Sequence, residues 1–302
     1  MNQEFIKELS SQLPDLEIKI DEQMSGHTTF RVGGPADIFV SPNKEELDMV
    51  LKIAKAHKIP ITIIGNGSNL FVTDKGIRGL VGEIVKAMET INITDTIITV
   101  GAGTLMSKTA NAAADASLGG MEFAAGIPGS IGGAVVMNAG AYGGEIKDII
   151  VSAEVITPEG NKLTLKAEDL DLSYRHSCII DKGYIVTAAT FKLKKKPQEE
   201  IRELMAELRD KRVDKQPLEF PSAGSTFKRP EGYFAGKLIQ DAGLRGYTVG
   251  GAQVSEKHCG FVINTGSATA ADIKQLIAYV QEEVYKQFSV KLEPEVIFLG
   301  EF

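Results

Sequence analysis

Residues 119–146, GGMEFAAGIPGSIGGAVVMNAGAYGGEI, constrain the fold of this chain more than any other stretch. Nine of these residues are glycine, most of the others are small or apolar, and Glu122 and Glu145 carry the only charges. Glycine loses more conformational entropy on folding than any other residue, so a run this rich in glycine needs a compensating reason. Three features would explain such a run: turns with positive φ, backbone packed on backbone, or backbone laid against a ligand.

The segment GIPGSIGG, residues 126–133, favours the last of these explanations. Consecutive small residues let main-chain N–H groups point into one concavity, which suits anionic oxygens such as those of a pyrophosphate. The pattern is neither the GxGxxG that opens a Rossmann helix nor a P-loop with its GK[ST] ending. A tightly packed structural turn is the alternative that the sequence leaves open.

A second glycine-rich loop, GNGSNL at 65–70, follows directly on the apolar segment PITIIG at 60–65. The apolar segment predicts a strand that is buried on both faces, and the loop after it could present backbone donors to phosphates. One such loop is weak evidence. Two of them in one chain, neither with a Rossmann or P-loop pattern, predict a single large anionic cofactor.

Composition excludes several classes of function. The 302 residues suffice for two or three domains, and 33 basic against 40 acidic residues give a net charge of −7, which disfavours a nucleic-acid partner. Cys178 and Cys259 are too few for a disulfide framework and indicate free thiols in a reducing cytoplasm. The charged start of the chain is unlike a signal peptide, and no apolar run is long enough to cross a bilayer.

Hydrophobic spacing and turn residues predict an α+β chain with many short strands. A change to a charged amphipathic pattern at Pro197 predicts a domain boundary, and Thr269 with Asp272 predicts a capping box. His57 is expected on the solvated surface. Helices are predicted near 5–13, from 41, and over 104–118, 199–217, 235–243 and 269–288; strands over 16–20, 28–32, 37–41, 184–196, 260–265 and 290–300, with a hairpin about 158–161.

Three residues stand out as candidates for chemistry. Ser225, in AGSTFKRP, could donate a proton into a cleft, although an ordinary turn serine has the same pattern. Arg175, in SYRHS, could clamp a carboxylate or lie exposed, and Glu295 is a carboxylate in an otherwise apolar strand. The four histidines and two cysteines lack metal-ligand spacing, so no metal site is predicted.

These segments closely resemble the UDP-N-acetylenolpyruvoylglucosamine reductase family. The matching motifs cover nearly the whole chain in the family's order: TTFRVGGPAD, IIGNGSNL, GMEFAAGIPGSIGGAVVMNAGAYGGEI, SYRHS, AGSTFKRP, VSEKHCGFVINTG and LEPEV. The resemblance implies an FAD-binding fold of the vanillyl-alcohol oxidase type, made of two subdomains, plus a smaller α/β substrate domain. The implied ranges are 1–85 with the returning C-terminal strand 290–302, then 86–196, and 197–289 for the substrate domain.

The resemblance also assigns site residues. Arg175, Ser225 and Glu295 match the family's catalytic residues. Cofactor-binding positions are implied at Gly65, Asn66, Gly67, Ser68, Asn69, Gly126, Ile127, Pro128, Gly129, Ser130, Gly132, Gly133, Asn138 and Gly140. Substrate-binding positions are implied at Tyr174, Lys228, Arg229, Arg245, Lys257 and His258. Arg229 stands where other members often have asparagine, and the short spacings resemble the family's shorter type, which lacks an extra tyrosine-bearing loop.

The implied reaction uses non-covalently bound FAD, with NADPH as co-substrate, to reduce UDP-N-acetylglucosamine enolpyruvate to UDP-N-acetylmuramate for peptidoglycan synthesis. The expected enzyme is a cytoplasmic monomer without nucleic-acid or membrane partners. Two rivals are an oxidase of the same fold and a non-catalytic nucleotide-sugar-binding module. The Ser225 and Glu295 motifs argue against the oxidase, and a purified protein without flavin would favour the binding module.

Overall fold

The computed structural model describes residues 3–85 and 87–301 and contains two compact units. Unit 1 comprises Met1–Lys19, Phe39–Asn66 and Gly79–Arg212, and unit 2 comprises Ile20–Ile38, Gly67–Arg78 and Val213–Phe302. Residues 1, 2, 86 and 302, which include ends of the predicted domain ranges, lie outside the described residues. The threefold division made from the sequence differs from these two units, and its separation of the FAD-binding part into two subdomains stays a prediction.

The elements are numbered in chain order. The α-helices are α1 (Gln3–Gln12), α2 (Lys44–Ala56), α3 (Met106–Asp115), α4 (Ile131–Val136), α5 (Cys178–Lys182), α6 (Gln198–Lys215), α7 (Ala235–Asp241) and α8 (Ala270–Phe288). The strands are β1 (Ile18–Gln23), β2 (Pro35–Val40), β3 (Ile61–Ile64), β4 (Leu70–Val72), β5 (Ile77–Glu83), β6 (Ile91–Thr94), β7 (Ile97–Gly101), β8 (Leu118–Gly119), β9 (Gly140–Ala141), β10 (Gly144–Glu145), β11 (Ile150–Ile156), β12 (Lys162–Lys166), β13 (Ile185–Lys192), β14 (Lys194–Lys195), β15 (Thr248–Val249), β16 (Ala252–Val254), β17 (Val262–Asn264) and β18 (Ile297–Leu299).

Unit 1 is built on a five-stranded antiparallel sheet of order β12-β11-β13-β7-β6. The hairpin between β11 and β12 confirms the turn predicted about 158–161. β13 is buried along most of its length because α4 packs on it. The buried side chains of this sheet join those of α3 and α4 in one core, which includes Ile98, Met106 and Phe191.

Unit 2 is built around a three-stranded antiparallel sheet of order β15-β16-β17, against which α8 packs. Its buried apolar residues form a second core, which includes Phe30, Leu276 and Val280. β18 pairs in parallel with β4, with Ile297 opposite Leu70. The chain also forms a four-stranded sheet of order β1-β2-β5-β3, in which β3 and β5 run parallel.

The predicted strand over 28–32 is wrong. These residues form a turn in which Arg31 has a φ of 55°, the Arg31 N–H donates to the Thr28 carbonyl, and the Thr28 hydroxyl donates to the Val32 carbonyl at 3.0 Å. Side-chain hydrogen bonds of this kind compete with strand pairing and leave no trace in hydrophobic alternation.

Three other expectations need correction. The predicted strand over 290–300 reduces to β18, because Pro294 interrupts the ladder and leaves one isolated bridge to Phe227. β3 is only half-buried except at Ile64, so it is not covered on both faces. His57 is not a solvated side chain: its ring meets Phe5 edge-on and its Nε2 lies 2.7 Å from a Glu8 carboxylate oxygen.

Two carboxylates cap the N-terminus of α8. The Thr269–Asp272 capping box is confirmed, and the Asp74 carboxylate accepts hydrogen bonds from the N–H groups of Ala270 and Ala271 at 2.8 and 3.0 Å. Asp74 thereby satisfies donors that no residue within the helix can reach. We expect Asp74→Ala to lower the free energy of unfolding in urea by about 1 kcal/mol.

Asp15→Ala is the control for this measurement, because Asp15 is exposed and caps no helix. Equal stability of Asp74→Ala and the unmodified chain would show that water replaces the carboxylate at no cost.

Candidate functional site

The GIPGSIGG segment lies against residues 102–106 of unit 1 through its backbone. The N–H groups of Ile131 and Gly132 donate to the carbonyls of Thr104 and Ala102 at 2.8 Å each, and the Gly129 carbonyl accepts from Met106 N–H at 2.9 Å. A Cβ at Gly132 would lie 3.0 Å from the Cβ of Ala102, which is tighter than most side chains allow. Backbone packed on backbone therefore explains part of the glycine content.

Ser130 joins this segment to the first glycine-rich loop. Its side chain is 1% exposed, and no described residue forms a hydrogen bond with its hydroxyl. A Cβ at Gly65 would lie 2.2 Å from the Ser130 Oγ, so a side chain at position 65 would require the buried Ser130 hydroxyl to move. The adjacent Asn66 donates its side-chain amide to the Pro128 carbonyl. The first residues of one loop thus meet the second loop within unit 1.

This arrangement fits an anionic, oxygen-rich group such as the phosphates of FAD. A buried hydroxyl without a partner is costly, and a ligand oxygen would remove that cost. Gly133 beside it is exposed, and a Cβ there would meet nothing nearer than the Ser130 Oγ at 3.6 Å, so a ligand can approach the backbone. Gly65, Asn66, Ser130 and Gly133 are the residues that would hold such a group.

At other predicted cofactor positions, contacts within the protein explain why the residue is glycine. Gly67, in unit 2, has a φ of 61°, and a Cβ there would lie 2.0 Å from the His27 carbonyl oxygen. Gly140 begins the β9–β10 hairpin, where a Cβ would lie 2.7 Å from the Gly144 carbonyl oxygen. Ser68, Gly126, Ile127 and Pro128 are half-buried or exposed, so contact with a cofactor at these positions stays a prediction.

Arg212 is a residue that the sequence analysis did not select. It lies near the end of α6, half-buried against Gly126, where a Cβ would meet its Cδ at 3.0 Å. Burial lowers the pKa of Arg212, and among the described residues it forms no ion pair or hydrogen bond. Its position in a charged amphipathic helix offered no sequence signal that separates it from solvated neighbours.

Arg175 lies in a tight turn of unit 1. The N–H groups of Ser173 and His176 donate to each other's carbonyls at 3.2 Å, and Arg175 has a φ of 55°. The Arg175 guanidinium lies over the ring of Tyr174, which is 53% exposed, at 5.2 Å from the ring centroid. Both predicted residues of the SYRHS motif are therefore on the surface of this turn.

The segments that carry Ser225 and Glu295 meet within unit 2 through the main chain of Thr226. Thr226 is buried, its carbonyl accepts from the Glu295 N–H at 2.8 Å, and its Oγ1 accepts from the Val262 N–H at 2.9 Å. Ser225 follows Gly224, which has a φ of 76°, and its half-buried hydroxyl has no hydrogen-bond partner among the described residues. A hydroxyl in this state is available to a ligand.

Asn69, predicted to bind cofactor, contacts the Glu295 segment. Its side-chain amide donates to the Glu295 carbonyl at 3.1 Å, and its own carbonyl accepts from the Ile297 N–H at 2.9 Å. Asn69 therefore fixes the backbone on both sides of Val296.

The predicted substrate-binding cations differ in their surroundings. Lys228 lies 3.5 Å from a Glu293 carboxylate oxygen, and the exposed Arg229 guanidinium stacks 4.0 Å from the centre of the Phe234 ring. Arg245 donates to the Glu256 carbonyl and to the Gln240 side chain, and Lys257 donates to the Val213 carbonyl at 2.6 Å. Contact of these four residues with a substrate stays a prediction.

The ring of His258 is held in one tautomer. Its Nδ1 accepts a hydrogen bond from the Gly260 N–H at 3.0 Å, which leaves the hydrogen of the neutral ring on Nε2. The ring packs between Gly236 and Gly260, where a Cβ would lie 3.2 and 2.9 Å from its Cε1. Burial lowers the pKa of His258 below the ordinary 6.5, and the charge of Lys215 lowers it further.

Within residues 3–85 and 87–301, no group of three or more His, Cys, Asp or Glu side chains could hold a metal ion. The same residues contain no helix that is both long and apolar enough to span a membrane.

The contact between Gly65 and Ser130 gives a prediction about stability. Gly65→Ala should cost about 1–3 kcal/mol of unfolding free energy, because its methyl group would overlap the Ser130 Oγ. The double variant Gly65→Ala with Ser130→Ala should recover most of that loss, since 3.4 Å would then separate the new methyl from Cβ of residue 130. Urea unfolding of the apoprotein measures both, and additive losses would contradict the contact.

The depressed pKa of His258 gives a prediction about pH. Unfolded chains bind a proton at His258 below about pH 6.5 while the folded protein resists it, so stability falls as pH drops through that value. His258→Gln removes this loss. The stability advantage of the unmodified chain over His258→Gln should therefore be larger at about pH 7.5 than at about pH 5.5, measured by urea unfolding. An advantage that grows towards acid would show a raised pKa instead.

Comparisons with known proteins agree with this geometry. Residues 216–299 match the family model described as UDP-N-acetylenolpyruvoylglucosamine reductase, C-terminal domain, and residues 35–166 match the one described as FAD binding domain. An alkyldihydroxyacetonephosphate synthase of 20% identity aligns over 65% of this chain and 41% of its own with a TM-score of 0.50. That likeness concerns the fold alone and confirms the FAD-binding fold of the vanillyl-alcohol oxidase type.

Closer relatives match end to end. The UDP-N-acetylenolpyruvoylglucosamine reductase of Agathobacter rectalis is 60% identical over 100% of both chains, and that of Clostridioides difficile is 52% identical over 99% of both. The crystal structure of the enzyme from Thermus caldophilus aligns with a TM-score of 0.83 at 37% identity, covering 94% of this chain and 100% of its own. The chain belongs to the UDP-N-acetylenolpyruvoylglucosamine reductase family and is an FAD-dependent oxidoreductase.

Proposed function

We propose that this enzyme reduces UDP-N-acetylglucosamine enolpyruvate to UDP-N-acetylmuramate with NADPH, a step in the synthesis of peptidoglycan precursors. The observation that supports the site assignment most directly is the 2.8 Å hydrogen bond between Glu295 N–H and the Thr226 carbonyl. It joins the main chain of Glu295 to that of Thr226, the residue that follows Ser225, from segments that are distant in sequence. Bound FAD supplies the hydride for the enolpyruvyl methylene carbon.

Ser225 is the proton donor in this proposal. Hydride addition to the methylene carbon places negative charge on the neighbouring ether-bearing carbon and its carboxylate, and the Ser225 Oγ–H then protonates that carbon. The hydroxyl suits this task because it forms no hydrogen bond with a described residue, and because the main-chain hydrogen bonds of Thr226 hold the adjoining backbone in place. Serine is a weak acid, so the basicity of the enolate has to drive the transfer.

Arg175 and Glu295 orient the enolpyruvyl group and stabilise its developing charge. A guanidinium can bind the substrate carboxylate through two parallel hydrogen bonds, and stabilisation of developing charge usually contributes more to catalysis than any other single effect. The stacking of Arg175 on Tyr174 favours this role, because it restricts the side chain to one region of the turn.

The cations of unit 2 and Arg212 are proposed to bind anionic groups. Lys228, Arg229, Arg245 and Lys257 supply positive charge for the substrate's diphosphate and carboxylate, and His258 donates through Nε2–H as a neutral group. Arg212 lies against Gly126 of the second loop, and its desolvated guanidinium has no counter-charge among the described residues, so a phosphate there would stabilise it.

We also propose a cytoplasmic monomer without nucleic-acid or membrane partners. The net charge of −7 disfavours nucleic acid. Each unit has its own core of buried apolar side chains, so neither needs a second chain to bury one. Size-exclusion chromatography with light scattering tests the monomer.

Replacing the proton donor should separate the two half-reactions. Ser225→Ala should reduce its flavin with NADPH at the normal rate, and substrate-driven reoxidation should slow by at least about a hundredfold. Stopped-flow absorbance of the flavin measures both steps. Ser222→Ala in the same loop is the matched control and should leave both rates unchanged.

A fast second half-reaction in Ser225→Ala would remove Ser225 from the mechanism. A purified protein that is colourless and takes up no added FAD would remove the redox function itself and favour a binding module.

A further inference from the structure

Asn138 lies just beyond the end of α4 and has every polar group of its side chain engaged. It is 1% exposed and has a φ of 42°. Its Nδ2 donates to the Glu145 Oε2 at 2.7 Å and to the Ser173 carbonyl at 3.0 Å, and its Oδ1 accepts from the Lys147 N–H at 2.9 Å. Both N–H groups of this buried amide donate within the protein, so it has no donor left for the cofactor that the sequence assigned to it.

The second of these bonds reaches the turn that carries Arg175. Ser173 and His176 close that turn through two N–H to carbonyl bonds, and Arg175 within it has a positive φ, a conformation that a non-glycine residue rarely adopts. At the far end of the turn, the buried Ser177 hydroxyl donates to the Val136 carbonyl at 2.7 Å. The turn is thus fastened at both ends to the C-terminal end of α4.

The partners of Asn138 also determine how its amide is oriented. Glu145 and the Ser173 carbonyl are both acceptors, so only an NH₂ group can lie between them, and a flipped amide would place its oxygen against two oxygens. Glu145 is itself held by Lys147, whose Nζ lies 2.6 Å from Oε1 and whose pKa Glu145 raises. An aspartate at 138 would have the same shape and the wrong hydrogen-bonding groups.

We propose that Asn138 is a positioning residue for Arg175 and does not bind the cofactor. Its amide holds the Ser173 carbonyl and so sets the turn from which the guanidinium projects. The inference rests on the proposed role of Arg175 in binding the substrate's carboxylate. A displacement of about 1 Å at such a group can cost about a hundredfold in rate. A buried amide that holds the neighbouring backbone in place can therefore affect the reaction rate.

The test uses the holoenzyme and the variants Asn138→Gly and Asn138→Asp. Glycine keeps the positive φ and removes the amide, whereas aspartate keeps the shape and repels both acceptors. Both variants should show substrate-driven reoxidation slowed by about tenfold or more, with flavin reduction by NADPH and FAD affinity of the apoprotein within about twofold of normal. Asn161→Gly, in the exposed β11–β12 turn, is the matched control and should change none of these quantities.

A double-mutant cycle separates positioning from a general structural effect. If Asn138 acts through Arg175, then Asn138→Gly should produce no further slowing in an Arg175→Ala background. Slowing that multiplies across the two variants would overturn the inference, as would weaker FAD binding as the main effect of either change at 138. Arg175→Ala with normal reoxidation would instead contradict the proposed function, so the two failures are distinguishable.

Glu145→Gln is the second variant, in case both replacements at 138 fail to fold. It leaves Asn138 in place and turns a charge-assisted hydrogen bond to the same amide into a neutral one, which is about half as strong. Reoxidation should then slow by about two- to fivefold with unchanged FAD affinity. Normal reoxidation in a folded Glu145→Gln protein would overturn the inference.

Discussion

The arrangement of unit 1 depends on three backbone hydrogen bonds between residues 102–106 and residues 129–132. They fix the second glycine-rich segment before any ligand contributes. Because Ser130 lies in the middle of this contact, its hydroxyl is forced towards Gly65, and Asn66 comes within reach of the Pro128 carbonyl. α4 begins at the next residue, so the same contact also holds the N-terminal end of that helix.

In unit 2, the segments that carry the proposed catalytic residues are held in place by one residue, Thr226. Thr226 is buried and binds its neighbours through its N–H, carbonyl and hydroxyl. The Ser225 hydroxyl before it is left available to a ligand, and the main-chain N–H of Glu295 donates to the Thr226 carbonyl. In both units a residue proposed for chemistry lies in a segment that buried, hydrogen-bonded residues hold in place, which is how a fold keeps reactive side chains in fixed geometry.

Much of this could be predicted from the sequence. Long periodic segments such as α8 and the β11–β12 hairpin have strong local signals, and the family motifs identify the fold and the activity. The turn at 28–32 and the short β18 could not be predicted, because a threonine hydroxyl and a proline override the alternation of apolar residues. The environments of Asn138, Asn69 and Arg212 could not be predicted either. An asparagine in a glycine-rich loop has the same sequence pattern whether its side chain contacts a ligand or a carbonyl that is distant in sequence. The sequence suggests which residues matter, and only the tertiary structure distinguishes ligand contacts from internal ones.

The left-handed backbone of Arg175 has a consequence for engineering this enzyme. Glycine or asparagine would occupy that conformation at lower cost, so a programme that selects variants for heat resistance alone would favour replacing the arginine. Such variants would gain durability as they lost turnover, a trade-off typical of strained functional positions. Thermostable forms of this reductase should therefore be sought at other positions, with residue 175 excluded from the library.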